Sequence, residues 1–219
     1  MSFARGLVLA AALALVPQAS RACEVALLLA IDVSGSVDPV EYGFQTGGLA
    51  EALGDPAVAE ALVAAEAAVA VVEWSGAGQQ RVVLPWARMR DPGQVALLRA
   101  QVGGLVRSWD GSDTAVGEAI AFAAQQFARV ADCGRRVIDI SGDGDQNAGT
   151  PLAPARSAAL AAGIEINAVA IEGIGLAVTE FYRRRVISPK GFVLTARGHT
   201  DYPRAIRAKI LREVERPAM

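Results

Sequence analysis

Basic clusters are scarce in this chain, histidine is nearly absent, and no long apolar run follows residue 22. Each shortage removes a class of function. Arg183-Arg184-Arg185 is the one basic cluster in a chain of formal charge −2. The broad basic footprint that phosphate backbones require is therefore missing, and nucleic acid is excluded as a partner. The triplet falls on an expected helix and reads as a solvated face. The single histidine, His199, leaves a Ser–His hydrolase one candidate base, and no Gly-x-Ser-x-Gly turn is present to hold a nucleophile. His199 reads as a surface or capping residue. Gly173 and Gly175 do not follow a first strand at the full dinucleotide spacing, so a nucleotide-cofactor loop is not supported. Beyond residue 22 no segment is apolar over the about 20 residues that a bilayer needs. No repeat, linker or low-complexity tract divides the chain. With 219 residues, 53% hydrophobic and 20% charged, it has material for one packed domain, whereas two would each have a thin core.

The first 22 residues read as an export leader. Arg5 supplies a positive start, Leu7 to Val16 an apolar stretch too short to span a bilayer, and Ser20-Arg21-Ala22 small residues at the −3 and −1 positions of a cleavage site. The alternative is a buried N-terminal helix. Cleavage would leave Cys23 first, but Arg21 does not suit a lipidation signal. Residues 1–22 carry Arg5 and Arg21 and no acid, so their removal takes the formal charge from −2 to −4. The two cysteines, Cys23 and Cys133, both survive cleavage, and an even pair in an exported chain suggests a disulfide. The expected location is periplasmic or secreted.

Strand and helix patterns then alternate to the end. Glu24 to Ile31 is a nearly continuous apolar run, as in a strand buried on both faces. Asp38-Pro39 opens a helix through about Leu53, and Asp55-Pro56 a short one through Ala65. Ala67–Trp74 and Arg81–Trp86 are strand-like and separated by a Gly-containing loop, which suits a hairpin with one antiparallel member. Helices are expected from Asp91-Pro92 to the Gly103-Gly104 pair, over Thr114–Val130, Pro151–Ala162, Leu176–Val186 and Asp201–Val214. Strands are expected over Arg136–Ser141, Ile164–Ile171 and Gly191–Ala196. This alternation means an α/β fold of three layers, a mostly parallel doubly wound sheet covered on both faces.

Three separated pieces carry hard oxygen donors. Asp32-Val33-Ser34-Gly35-Ser36 follows the first strand, Thr114 opens a helix, and Asp143 ends the strand at Ile140-Ser141-Gly142. Ligands in open α/β sheets bind at the carboxyl ends of strands, and all three pieces fall on that edge. Two carboxylates and three hydroxyls suit Mg²⁺, Mn²⁺ or Ca²⁺ rather than Zn²⁺ or copper. Asp32, Ser34 and Ser36 alternate, so a loop curled around an ion could point all three inward. Singly, each piece has a plainer use. Ser34 or Ser36 could cap the next helix, Asp143-Gly144 could be a turn, and Thr114 alone suits an N-cap better than a metal ligand.

Together the pieces resemble the metal-ion-dependent adhesion site, or MIDAS, of von Willebrand factor type A domains, and the order of strands and helices matches over nearly all of residues 23–219. The resemblance implies one domain with a six-stranded sheet and one antiparallel edge strand. It implies that Ser34 and Ser36 bind an ion through their hydroxyls, and that Thr114 binds directly or through water. Asp32 and Asp143 would supply charge, partly through bridging waters. The ion would be Mg²⁺, or Mn²⁺ or Ca²⁺, and the last coordination position would go to water or to an Asp or Glu of a protein partner, with no catalysis. It also implies that the strands after Cys23 and Cys133 are neighbours. Each cysteine precedes its strand-end acid by a similar number of residues, so a Cys23–Cys133 bridge is expected.

Two departures stand out. The family's third piece reads Thr-Asp-Gly, and here Gly142 separates Ser141 from Asp143, so Asp139 or Asp145 remains an alternative to Asp143. Trp74 occupies a position where a smaller aromatic or Ser is expected. Asp143-Gly144-Asp145-Gln146-Asn147 also begins like a calcium loop, but Ala148 and Pro154 stand where an EF-hand needs Gly and Glu. The alternative function is a haloacid dehalogenase-like phosphohydrolase using Asp32 and Asp143. It meets Ser34 where a general acid is needed, and the two lysines, Lys190 and Lys209, lie downstream of the acidic motif rather than upstream.

Overall fold

The structure, a computed structural model, describes residues 23–215; the expected leader over residues 1–22 lies outside them. Six strands form one sheet: β1 (Val25–Asp32), β2 (Ala68–Trp74), β3 (Gln80–Arg88), β4 (Arg135–Gly142), β5 (Glu165–Glu172) and β6 (Val193–Arg197). Their order is β3-β2-β1-β4-β5-β6, with β3 antiparallel at one edge and all other pairings parallel. This is the expected architecture. The hairpin between β2 and β3 turns through residues 75–79.

Three helices begin alike. In α1 (Pro39–Gly54), α2 (Pro56–Ala64) and α3 (Pro92–Gly103) an Asp-Pro pair supplies cap and first residue. The Asp38, Asp55 and Asp91 carboxylates accept the orphan N–H groups of the first turn, at 2.7 Å from Val40 N, 3.0 Å from Ala57 N and 3.0 Å from Gln94 N. Proline at the first position has no N–H to lose. The remaining helices are α4 (Val116–Gln126), α5 (Leu152–Ala161), α6 (Ala177–Phe181) and α7 (Tyr202–Val214). The expected helix over Thr114–Val130 starts two residues later and ends in a 3₁₀ turn, Phe127–Val130. The one expected over Leu176–Val186 is α6 followed by a wider π turn, Tyr182–Val186. Another 3₁₀ turn, His199–Asp201, leads into α7.

The period of two along β1 divides the core. Val25, Leu27, Leu29 and Ile31 pack with Leu49, Leu62, Leu98 and Ile206 of α1, α2, α3 and α7. Ala26, Leu28 and Ala30 face Ile120, Ala159 and Phe181 of α4, α5 and α6. β1 and β4 pair with Val25 opposite Arg135, so continuing that register two residues back sets Cys23 opposite Cys133. They form the expected disulfide, with a Cα separation of 4.6 Å.

Candidate metal centre

The sheet register assembles the site. Asp32, last in β1, lies opposite Trp74 of β2 on one side, and on the other the register continues from Ile31 opposite Ser141 to Gly142. Gly35 N–H donates to Ser112 O at 2.7 Å, which ties the loop after β1 to the one before α4. A side chain at Gly35 would start 2.9 Å from that carbonyl, so the close approach needs glycine. Arg107 reinforces the tie, its Nη2 donating to Val33 O and Ser34 O at 2.9 Å each. Buried Glu73 fixes the same segment, accepting from Tyr42 Oη at 2.5 Å and Ser108 N at 2.9 Å. Thr114 N–H donates to Asn147 Oδ1 at 2.7 Å, and Thr114 O accepts from Asn147 N at 3.1 Å, which clasps the second piece to the loop that follows Asp143.

Within this frame Asp32, Ser34, Ser36 and Asp143 come together, and Thr114 lies on the adjoining loop. Ser34 Oγ and Ser36 Oγ are 3.2 Å apart, and Ser36 Oγ donates to Asp143 Oδ1, 107 residues further along the chain. Thr114 Oγ1 lies 4.0 Å from the point where a Gly144 side chain would begin. Asp32 is fully buried; its Oδ1 accepts from Ser34 N at 2.8 Å, and its Oδ2 has no hydrogen-bond partner. A buried carboxylate oxygen left bare is costly unless something positive meets it. Burial accordingly pushes the Asp32 carboxyl from 3.8 up to about 7, with the Asp143 charge adding to the rise and the Ser34 hydroxyl opposing it. The Asp32 and Asp143 carboxylates and the Ser34 and Ser36 hydroxyls are hard oxygen donors of the kind a divalent cation takes.

The inserted Gly142 has a physical reason. A Cβ there would sit 2.3 Å from Tyr182 Oη, 2.9 Å from Asp32 Oδ2 and 3.3 Å from Trp74 Cζ2. The hydroxyl of Tyr182 and the indole of Trp74 fill the space that a side chain at 142 would take. Tyr182 Oη is buried and without a hydrogen-bond partner, and burial followed by the Asp32 charge raises its pKa well above the usual value.

The capping readings of Ser34, Ser36 and Thr114 do not describe this structure. Asp38, not Ser34 or Ser36, caps α1, in a capping box closed by Glu41 Oε2 accepting from Asp38 N at 2.8 Å. The cap position of α4 is Ala115, and Thr114 lies before it with a backbone clasped elsewhere. Asp139 points into the opposite layer, 2.7 Å from Lys209 Nζ, which also meets Glu213 at 2.7 Å. Ser141 faces that layer too, 3.3 Å from Tyr202 Oη. Asp145 is exposed. The phosphohydrolase alternative is not favoured: Ser34 sits buried where that chemistry needs an acid, and Lys209 is engaged by Asp139 and Glu213.

Sequence reasoning missed several residues. Arg107, Glu73, Tyr182 and Asn147 brace the loops with no motif to reveal them. His199 is a correction, because it is buried, not on the surface. Its Nδ1 lies 3.2 Å from Glu41 Oε1 and its Nε2 3.9 Å from Asp143 Oδ2. Its being the only histidine was the one available signal.

The fold so described is that of a von Willebrand factor type A domain. Proximal thread matrix protein 1 from the mussel byssus matches at a TM-score of 0.66 and 17% identity, over 88% of this chain and 47% of its own. Another structure of that mussel protein has its MIDAS motif occupied by zinc. A von Willebrand factor type A protein from Catenulispora acidiphila matches at 0.64 and 21% identity, over 88% of this chain and 43% of that one. An aerotolerance-related membrane protein from Bacteroides fragilis matches at 0.58 and 17% identity, over 86% and 99%. The chain thus spans about half the length of the mussel and Catenulispora proteins. No curated protein matches the sequence. Residues 22–218 match the model described as "Protein of unknown function (DUF1194)", and the chain belongs to that family.

Proposed function

We propose that this chain is an exported binding module. Residues 1–22 direct export to the periplasm or beyond, and residues 23–219 form one von Willebrand A-like domain. That domain holds a divalent cation, Mg²⁺ with Mn²⁺ or Ca²⁺ as substitutes, on Asp32, Ser34, Ser36, Thr114 and Asp143. A position left open on the ion takes an Asp or Glu carboxylate from a protein partner, and no reaction is catalysed. The observation that carries this reading is the bare, buried Asp32 Oδ2 on the loop of the Ser34 and Ser36 hydroxyls, which the Asp143 carboxylate meets from a separate loop. With the acids acting partly through bridging waters and neutral hydroxyls bound directly, the ion still attracts one more acid.

The surroundings support a protein partner. Gly35 and Ser36 are exposed, so the site is open to solvent. Val40, Val106, Ile174 and Leu176, between 59% and 101% exposed, lie on segments at the same edge of the sheet and would give a partner apolar contacts around the ion. Among the described residues no helix is long and apolar enough to cross a membrane. The test is affinity capture from a periplasmic extract in Mg²⁺, followed by a chelator wash. The captured protein should elute with the chelator and fail to bind Asp32→Ala; a partner that stays bound without metal contradicts the mechanism.

A further inference from the structure

One partly buried cluster shares Asp143 with the adhesion site. Glu41, Asp143 and His199 bring one ligand atom each within 4.8 Å of one another. Their roles are not equivalent. Both oxygens of Glu41 are engaged, Oε2 by Asp38 N at 2.8 Å and Oε1 by His199 Nδ1 at 3.2 Å. An Nδ1 proton given to Glu41 leaves the Nε2 lone pair bare. That nitrogen belongs to a side chain only 8% exposed, has no hydrogen-bond partner, and looks toward Asp143 Oδ2 at 3.9 Å. The other oxygen of Asp143 is turned away, accepting from Ser36.

We propose that His199 Nε2 and Asp143 Oδ2 form a second cation site, selective for a borderline transition metal such as Zn²⁺ and adjoining the first through the shared Asp143 carboxylate. The spacing is within reach of one ion. Tetrahedral ligands about 2.1 Å from a metal lie about 3.4 Å apart, so binding would draw the two atoms together by about 0.5 Å from 3.9 Å. A carboxylate holding the far nitrogen of a ligating imidazole is a common second-layer arrangement, which fixes the tautomer and raises the ring's basicity. Glu41 supplies it while capping α1, so the imidazole is positioned by a helix start. A nitrogen donor favours Zn²⁺, Co²⁺ or Ni²⁺ over Mg²⁺, so the two sites discriminate between ions. Water completes the coordination on the open side. The proposal rests on the adhesion-site reading only through Asp143, whose two oxygens would serve different ions.

Because His199 is the only histidine, its imidazole ¹⁵N signals are unambiguous in tag-free protein. Zn²⁺ added to Mg²⁺-saturated protein should shift the Nε2 signal strongly and leave Nδ1 protonated, whereas Mg²⁺ alone should not move Nε2. Equilibrium dialysis should find one Zn²⁺ fewer per chain in His199→Gln, and Glu41→Gln should bind that Zn²⁺ about tenfold more weakly. Ser34→Ala, which removes a donor of the first site alone, should keep the Zn²⁺-induced Nε2 shift. An Nε2 signal indifferent to Zn²⁺, with Mg²⁺ still bound, overturns this site and leaves the adhesion reading standing. A Zn²⁺ shift in protein that never binds Mg²⁺ supports this site and overturns the other.

Discussion

Replacing Asp32 by Asn separates the cost of the metal centre from its benefit. In the metal-free protein, burial is the main cause that lifts the Asp32 carboxyl from 3.8 to about 7. A carboxyl raised on folding binds its proton more tightly when folded. The native state is therefore favoured below about pH 4, and that advantage is lost as pH rises to about 7. At about 1.4 kcal/mol per unit, the metal-free protein above pH 7 is about 4 kcal/mol less stable than it would be with an ordinary carboxyl. Asn has the same shape, no charge, and an oxygen that can still accept from Ser34 N, now 2.8 Å from Asp32 Oδ1. That figure already contains the Ser34 bonds, which oppose the rise. In chelator at pH 8, Asp32→Asn should thus be more stable than the parent by about 4 kcal/mol, which raises Tm by about 8–16 °C for a domain of this size. At pH 4 the difference should nearly vanish. Saturating Mg²⁺ should reverse the order, because the parent gains the binding free energy and the variant does not. Thermal unfolding at both pH values, with and without metal, reads all of these. An Asn variant less stable than the parent in chelator at pH 8, or equal Mg²⁺ stabilisation of both, refutes the reasoning.

Other perturbations follow from the same contacts. Gly142→Ala places a methyl group 2.3 Å from Tyr182 Oη and should cost about 1–3 kcal/mol and weaken Mg²⁺ binding, with Tyr182→Phe in the same chain recovering part of both, as read by unfolding and calorimetry. Cys133→Ser opens a loop closed across 110 residues and should lower stability by about 4–5 kcal/mol in denaturant titration, an effect that reductant reproduces in the parent. Lys209→Met leaves Asp139 and Glu213 buried without their cation. It should cost about 3–5 kcal/mol at pH 8, and less at low pH because burial already raises both carboxyls. Asp139→Asn should leave Mg²⁺ affinity unchanged, and a large loss in calorimetry would return Asp139 to the ligand set.

The fold could be read from the sequence because local signals agreed with the global arrangement. Asp38-Pro39, Asp55-Pro56 and Asp91-Pro92 each mark a helix start through one capping carboxylate, and the apolar run of β1 admits little but a strand buried on both faces. The approach of Asp32, Ser34, Ser36 and Asp143, with Thr114 on an adjoining loop, was legible because the carboxyl edge of a parallel sheet collects loops from separate strands. Choosing between Asp139 and Asp143 required side-chain direction: Asp139 and Ser141 share a strand face toward α7, whereas Asp143 lies past the strand end. Tyr182 and His199 were not legible as site residues. The hydroxyl of Tyr182 comes over Gly142 from a π turn that no residue pattern announces, and His199 meets Glu41 only because the start of α7 packs against the start of α1. Both contacts join residues far apart in the chain, and no local propensity encodes them.

The central claim is that one cation sits among the donors of three loops. Crystals grown with Mn²⁺ and measured for anomalous scattering test it without variants. The account places a peak about 2.0–2.6 Å from both the Ser34 and Ser36 hydroxyl oxygens, beside Asp32 and Asp143. The absence of any peak within that distance of the two serines, at Mn²⁺ concentrations that saturate the protein in solution, would contradict it.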